Sequence, residues 1–167
     1  MKITSATAFA LACAAIASAE ELPRKTKAAR ESYPNADVIY DSVTAPDGKR
    51  LRTIITKPRN PKGKRPVIFV TGWLSCDSVE APAGTKDASG LVFQGLARLP
   101  QFSLFRVDKQ GVGDSEGVCA ETDFDSELGG YRAAFRARSL SETAMATNAT
   151  SLIICRVLSH FLASICE

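Results

Sequence analysis

The sequence predicts an α/β fold in which a β-hairpin leads into a parallel strand–helix–strand unit. Three observations carry that prediction. Asp37-Val-Ile-Tyr-Asp-Ser-Val-Thr44 and Leu51-Arg-Thr-Ile-Ile-Thr56 are rich in β-branched residues and flank Ala45-Pro46-Asp47-Gly48, which has turn chemistry. Pro66-Val-Ile-Phe-Val-Thr71 and Phe102-Ser-Leu-Phe-Arg-Val107 are apolar enough for buried strands, the first of them central and covered on both faces. Between them, Asp87 to Arg98 places Leu91, Val92, Leu96 and Ala97 as a helix would, and Pro100 ends the run. Such a crossover is expected to be right-handed, with parallel strands and a ligand crevice at their carboxyl ends.

The chain opens with Met1-Lys2 and then carries no charge from Ile3 to Ala19. Ala17-Ser18-Ala19 puts small residues where a signal peptidase reads, so residues 1–19 are expected to be a signal peptide cleaved before Glu20. The expected location is therefore secreted or periplasmic. The stretch is rich in Ala, Ser and Thr and shorter than the about 20 strongly apolar residues of a spanning helix. No stable membrane span is expected after cleavage.

Removing 19 of 167 residues leaves 148, with 20 basic and 18 acidic side chains, a charge near +2. That balance lacks the basic footprint of a nucleic-acid-binding domain, so no nucleic-acid partner is expected. Lys57, Arg59, Lys62, Lys64 and Arg65 alternate with Pro58, Pro61, Gly63 and Pro66 and read as a solvated loop. Residues 20–36, charged and interrupted by Pro23 and Pro34, read as a lead-in segment rather than a packed element.

Beyond the second strand, Asp123 to Arg138 has acids early and bases late, in agreement with a helix dipole, although Gly129-Gly130 weakens it. The texture changes at Ser139, so residues 37–138 are expected to form the domain and 139–167 a divergent tail. Within that tail Leu152 to Ile165 has the spacing of an amphipathic helix, with polar residues at Arg156, Ser159, His160 and Ser164. Its broad apolar face predicts self-association through residues 152–165.

Two segments, Val67-Ile-Phe-Val-Thr-Gly-Trp-Leu-Ser75 and Leu104-Phe-Arg-Val-Asp-Lys-Gln-Gly-Val-Gly-Asp-Ser-Glu-Gly117, together resemble the N-terminal half of a secreted bacterial α/β-hydrolase, an esterase or serine aminopeptidase. The resemblance spans residues 37–138. It implies a partial α/β-hydrolase sheet, hydrolysis of ester or peptide bonds by serine acylation, a small-molecule ester or peptide substrate, and no metal or organic cofactor. It makes the turn at Gly72 the site of an oxyanion hole, with the backbone N–H of Trp73 as donor and Leu74 as its neighbour. It also makes Asp108, Gly111, Gly113, Asp114 and Gly117 a loop bordering the crevice. The family pattern ends near Arg138, before the strand that should carry the nucleophile. Truncation or a shifted reading frame is the expectation, and the alternative to an enzyme is an inactive fragment that binds a ligand or partner.

Gly113-Asp-Ser-Glu-Gly117 satisfies G-x-S-x-G as text, which makes Ser115 a candidate nucleophile. An elbow, however, joins strand directly to helix, whereas Lys109 to Val112 and Val118 to Glu121 separate this pentapeptide from both. The competing reading is a glycine-supported loop. His160, the sequence's one histidine, is the only candidate general base of that type, and a structural role in its apolar stretch competes with catalysis. After export four cysteines remain, with three possible pairings. Cys76 and Cys119 follow two strands expected to be adjacent and parallel, so a disulfide across the crevice rim competes with two free thiols.

Overall fold

The computed structural model describes residues 20–60, 65–72 and 75–145, with side chains to 138. His160, Cys155, Cys166, the tail segment 152–165 and the leader 1–19 lie outside the described residues, as do Trp73 and Leu74.

The predicted hairpin is formed by β1 (Ala36–Thr44) and β2 (Arg50–Pro58), paired antiparallel with Tyr40 opposite Ile54. Gly48 has a φ of +84° in the connecting turn, a region open to glycine at no steric cost. The next strands, β3 (Val67–Thr71) and β4 (Ser103–Val107), are parallel, and α1 (Ala88–Ala97) connects them. The Asp87 carboxylate accepts the Gly90 N–H at 2.8 Å and so caps α1. β4 also pairs antiparallel with β2, giving a four-stranded mixed sheet of order β1-β2-β4-β3.

Strand alternation sorts the side chains onto two faces. On one, Leu51, Phe105 and Val107 pack with Phe69 and Ile55 beneath Tyr131 and Ala134 of α2 (Phe124–Met145). On the other, Leu104, Ile68 and Val70 meet Ala97 of α1 and Tyr33. Asp123 starts α2 by accepting the Ser126 N–H at 2.8 Å. The helix continues past Arg138, where the sequence pattern faded.

Three expectations need correction. β3 was expected to be central, yet among the described residues its one neighbour is β4, and all five of its residues remain partly exposed. On α1, Leu91 and Val92 are exposed while Phe93 and Ala97 face the sheet. The apolar spacing is thus right at Leu96 and Ala97, which pack on the core, and wrong at Leu91 and Val92. Residues 20–36 have little regular structure and are mostly exposed, yet Leu22, Glu31 and Tyr33 are buried and anchor them.

Candidate functional site

The carboxyl ends of the parallel strands, where the sequence places a crevice, lie at Thr71-Gly72 for β3 and Val107-Asp108 for β4. Beyond β4 the chain does not enter a helix; it turns back towards the start of β2. Glu116 N–H donates to the Arg50 carbonyl at 2.9 Å and Gly111 N–H to the Glu116 carbonyl at 2.8 Å. Gly113 adopts a φ of +56°, and a Cβ there would fall 2.1 Å from an Arg52 guanidinium nitrogen. Glycine is needed at this position twice over, for the backbone and for the space.

Arg52 is the centre around which this loop is built. It projects from β2 with 1 % of its side chain exposed and reaches three carboxylates: Asp108, Glu80 at 2.7 Å and Asp114 at 2.7 Å. Asp108 also accepts the Val79 N–H at 2.8 Å, which ties the loop after β3 to the end of β4. Arg24 adds a second cation to Glu80 and Asp114. On the same face of the sheet Arg106 forms a second buried pair with Glu31, at 2.6 and 2.7 Å. Burial alone would lower the Arg52 pKa, but Asp108 and Glu80 outweigh it and hold the guanidinium more firmly protonated than usual.

The same competition acts on the acids. Burial pushes Glu80 up, yet hydrogen bonds from Arg24 and Tyr40 and the Arg52 charge hold it below its usual 4.5. Asp114, also opposed by burial, is held below 3.8 by the Lys25 backbone N–H and by Arg52. Both carboxyls bind protons less readily folded than unfolded. Their stabilisation is therefore complete above the unfolded values and is lost as pH falls through the folded ones. The urea midpoint should drop progressively below about pH 5, and substituting Glu80 with Gln should flatten that dependence.

Ser115 has no exposed surface. Its hydroxyl accepts the Arg52 N–H at 2.8 Å and lies 3.3 Å from the Asp108 carbonyl, to which it donates. The sequence-predicted loop residues Asp108, Gly111, Gly113, Asp114 and Gly117 do come together with it. Asp108 and Asp114 pair with Arg52 and Gly113 packs against it, whereas Gly111 faces Val118 and Cys119 and Gly117 faces Lys49 and Gln110. Arg52, Arg106, Arg24, Glu31 and Glu80 were not singled out in the sequence, and a charge at an inward strand position was the only signal for the first two.

Gly72 follows the end of β3, where a Cβ would approach the Tyr131 hydroxyl to 3.3 Å. That hydroxyl donates to Glu127 at 2.7 Å, and Lys109 lies 3.7 Å from the same carboxylate. Burial, aided by Glu127, raises the Tyr131 pKa, while the Gly72 N–H opposes the rise. The hydroxyl thus sits beside Gly72 at the carboxyl end of β3.

Cys76 and Cys119 are joined by a disulfide with a Cα–Cα distance of 6.0 Å. It links the loop after β3 to the loop after β4 across 43 residues of sequence. Reduction should lower unfolding stability by about 2–4 kcal/mol in the chain-entropy picture, measurable as a fall in urea midpoint with dithiothreitol. At the opposite end of the sheet a cavity of about 360 Å³ opens among Tyr33, Ala36, Pro58, Ala97 and Leu99. No helix among the described residues is long and apolar enough to cross a membrane.

No family model and no curated protein matches the chain. Solved structures do. A hypothetical protein from Pseudomonas aeruginosa aligns over 72 % of this chain and 36 % of its own, at 20 % identity and a TM-score of 0.56. A bacterial heroin esterase aligns over 75 % and 36 %, at 19 % identity and a TM-score of 0.50. The esterase Est22, solved as a serine-to-alanine mutant, aligns over 72 % and 34 %, at 12 % identity and a TM-score of 0.51. The chain spans about a third of the length of these structures. Its mixed four-stranded sheet with flanking helices has the α/β-hydrolase fold in part.

Proposed function

We infer that the chain is a secreted hydrolase-type protein whose described residues build the carbonyl-binding side of a crevice for carboxylic esters or peptide bonds. The nucleophile belongs outside those residues. The observation that carries this reading is the β1-β2-β4-β3 sheet, similar in fold to a solved esterase, with Gly72 beside the Tyr131 hydroxyl at its carboxyl edge. Trp73 and Leu74 follow that turn, and their backbone N–H groups are the donors we assign to an oxyanion. Ser115 is assigned a structural role. Attack by its oxygen would require it to leave two backbone partners and reach a substrate from a position with no solvent contact. Export agrees with the disulfide, which persists in oxidising compartments.

Short-chain p-nitrophenyl esters test the reading. Any turnover by the folded chain should survive replacement of Ser115 by alanine, when rates are compared per folded molecule. That variant should lose about 1–3 kcal/mol of stability, because the Arg52 N–H is left without its acceptor. Turnover that vanishes in a folded Ser115→Ala protein would make Ser115 the nucleophile. A folded chain with no turnover at all favours the second reading, a non-catalytic ligand- or partner-binding module, to which the burial of Ser115 also lends support.

A further inference from the structure

We propose that residues 20–36 form a latch over the crevice rim, which opens as one unit with residues 79–81 while the four-stranded sheet stays folded. The latch adds no strand to the sheet. Before β1 begins at Ala36, its backbone makes one bridge, Tyr33 to Ala36, and accepts the Arg59 N–H at the Asn35 carbonyl at 3.0 Å; side chains supply most of the remaining hold. Leu22 and Tyr33 are buried, the Arg24 guanidinium contacts Glu80 at 2.9 Å and Asp114 at 3.2 Å, and the Lys25 N–H donates to Asp114 at 2.8 Å.

Glu31 joins the latch both to the rim, at Ala81, and to the sheet, at Arg106 of β4. Its carboxylate accepts from Arg106, from the Tyr33 hydroxyl at 3.1 Å and from the Ala81 N–H. Tyr40 repeats the connection, accepting the Glu31 N–H at 3.0 Å and donating to Glu80 at 2.7 Å. Residues 79–81 thus lose acceptors and charge partners when the latch lifts. The ladders joining β2, β4 and β3 use none of these groups.

Charge balance makes such an opening feasible without unfolding. The unit that opens carries Arg24, Glu31 and Glu80, so its departure leaves two cations, Arg52 and Arg106, with two acids, Asp108 and Asp114. What remains is exposed to water, and Arg52 still pairs with Asp108. Regions held by few backbone bonds open at lower free energy than core strands. Residues 79–81 lie shortly after Cys76 and the Gly72 turn, so the latch sets whether that rim is ordered.

Native-state hydrogen exchange on the full chain, followed by mass spectrometry in low urea, tests this directly. Segments 20–36 and 79–81 should exchange through a common opening, at lower free energy than β2 and β4. Exchange of 79–81 or of 20–36 together with the strands would overturn the proposal. In Arg24→Ala, whose side chain is only partly buried, exchange should rise about tenfold or more in both segments. Millimolar guanidinium, but not sodium at equal ionic strength, should reverse that rise. A rise confined to residues 20–36, or one insensitive to guanidinium, would contradict the latch.

Discussion

Replacing Arg52 with methionine should destabilise the fold by about 3–5 kcal/mol, measured as a loss of urea midpoint with little change in slope. The side chain keeps much of its volume, so the effect comes from charge. Asp108, Glu80 and Asp114 lose their shared cation in a region where Asp108 has no exposed surface. Arg24 still reaches Glu80 and Asp114, but not Asp108. Removing one partner of a buried pair is the costly operation, because the others stay behind unpaired. The contrast is Arg59→Met. Its ion pair with Asp37 is exposed on both sides, and the same substitution there should cost less than about 1 kcal/mol. Against a total stability of about 5–15 kcal/mol, the first change threatens folding and the second does not.

Gly113→Ala should cost a comparable amount, about 2–5 kcal/mol, although it adds one methyl group. Left-handed backbone is penalised for alanine, and the new Cβ would sit 2.6 Å from an Asp108 carboxylate oxygen as well as against Arg52. Neither neighbour can yield without breaking the pairing that holds β2 to the loop. Thermal unfolding should show a large fall in Tm. Gly95→Ala, on α1 with open space around it, should instead leave Tm unchanged or raised.

These two positions also mark what the sequence disclosed and what it hid. The glycines at 111, 113 and 117 were visible as a loop signature, and each has a positive φ. The hairpin, the parallel pair and the crossover helix were visible because β-branched runs, turn residues and an aspartate cap act locally. The Cys76–Cys119 bond could be anticipated once two strands were taken as parallel neighbours, since both cysteines then fall at one end of the sheet. Arg52 and Arg106 were not legible. Within Leu51-Arg-Thr-Ile-Ile-Thr56, an arginine between a leucine and a threonine has the ordinary pattern of a half-exposed strand. What buries it is a set of acids 28 to 62 positions away. Residues 20–36 were missed for the same reason: charge and proline suggested solvent, and the partners of Arg24 and Glu31 are 56 to 90 residues distant. Long-range ion pairs leave no periodicity.

The central claim is that Gly113-Asp-Ser-Glu-Gly117 is a structural loop braced by Arg52, not a nucleophile elbow. It is tested most directly by reacting the folded protein with a fluorophosphonate and mapping adducts by peptide mass spectrometry. The account predicts no adduct on Ser115 under conditions where the urea midpoint shows the protein intact. A stoichiometric adduct on Ser115 of the folded protein would contradict it, and would mean that the loop opens to present the serine to substrate.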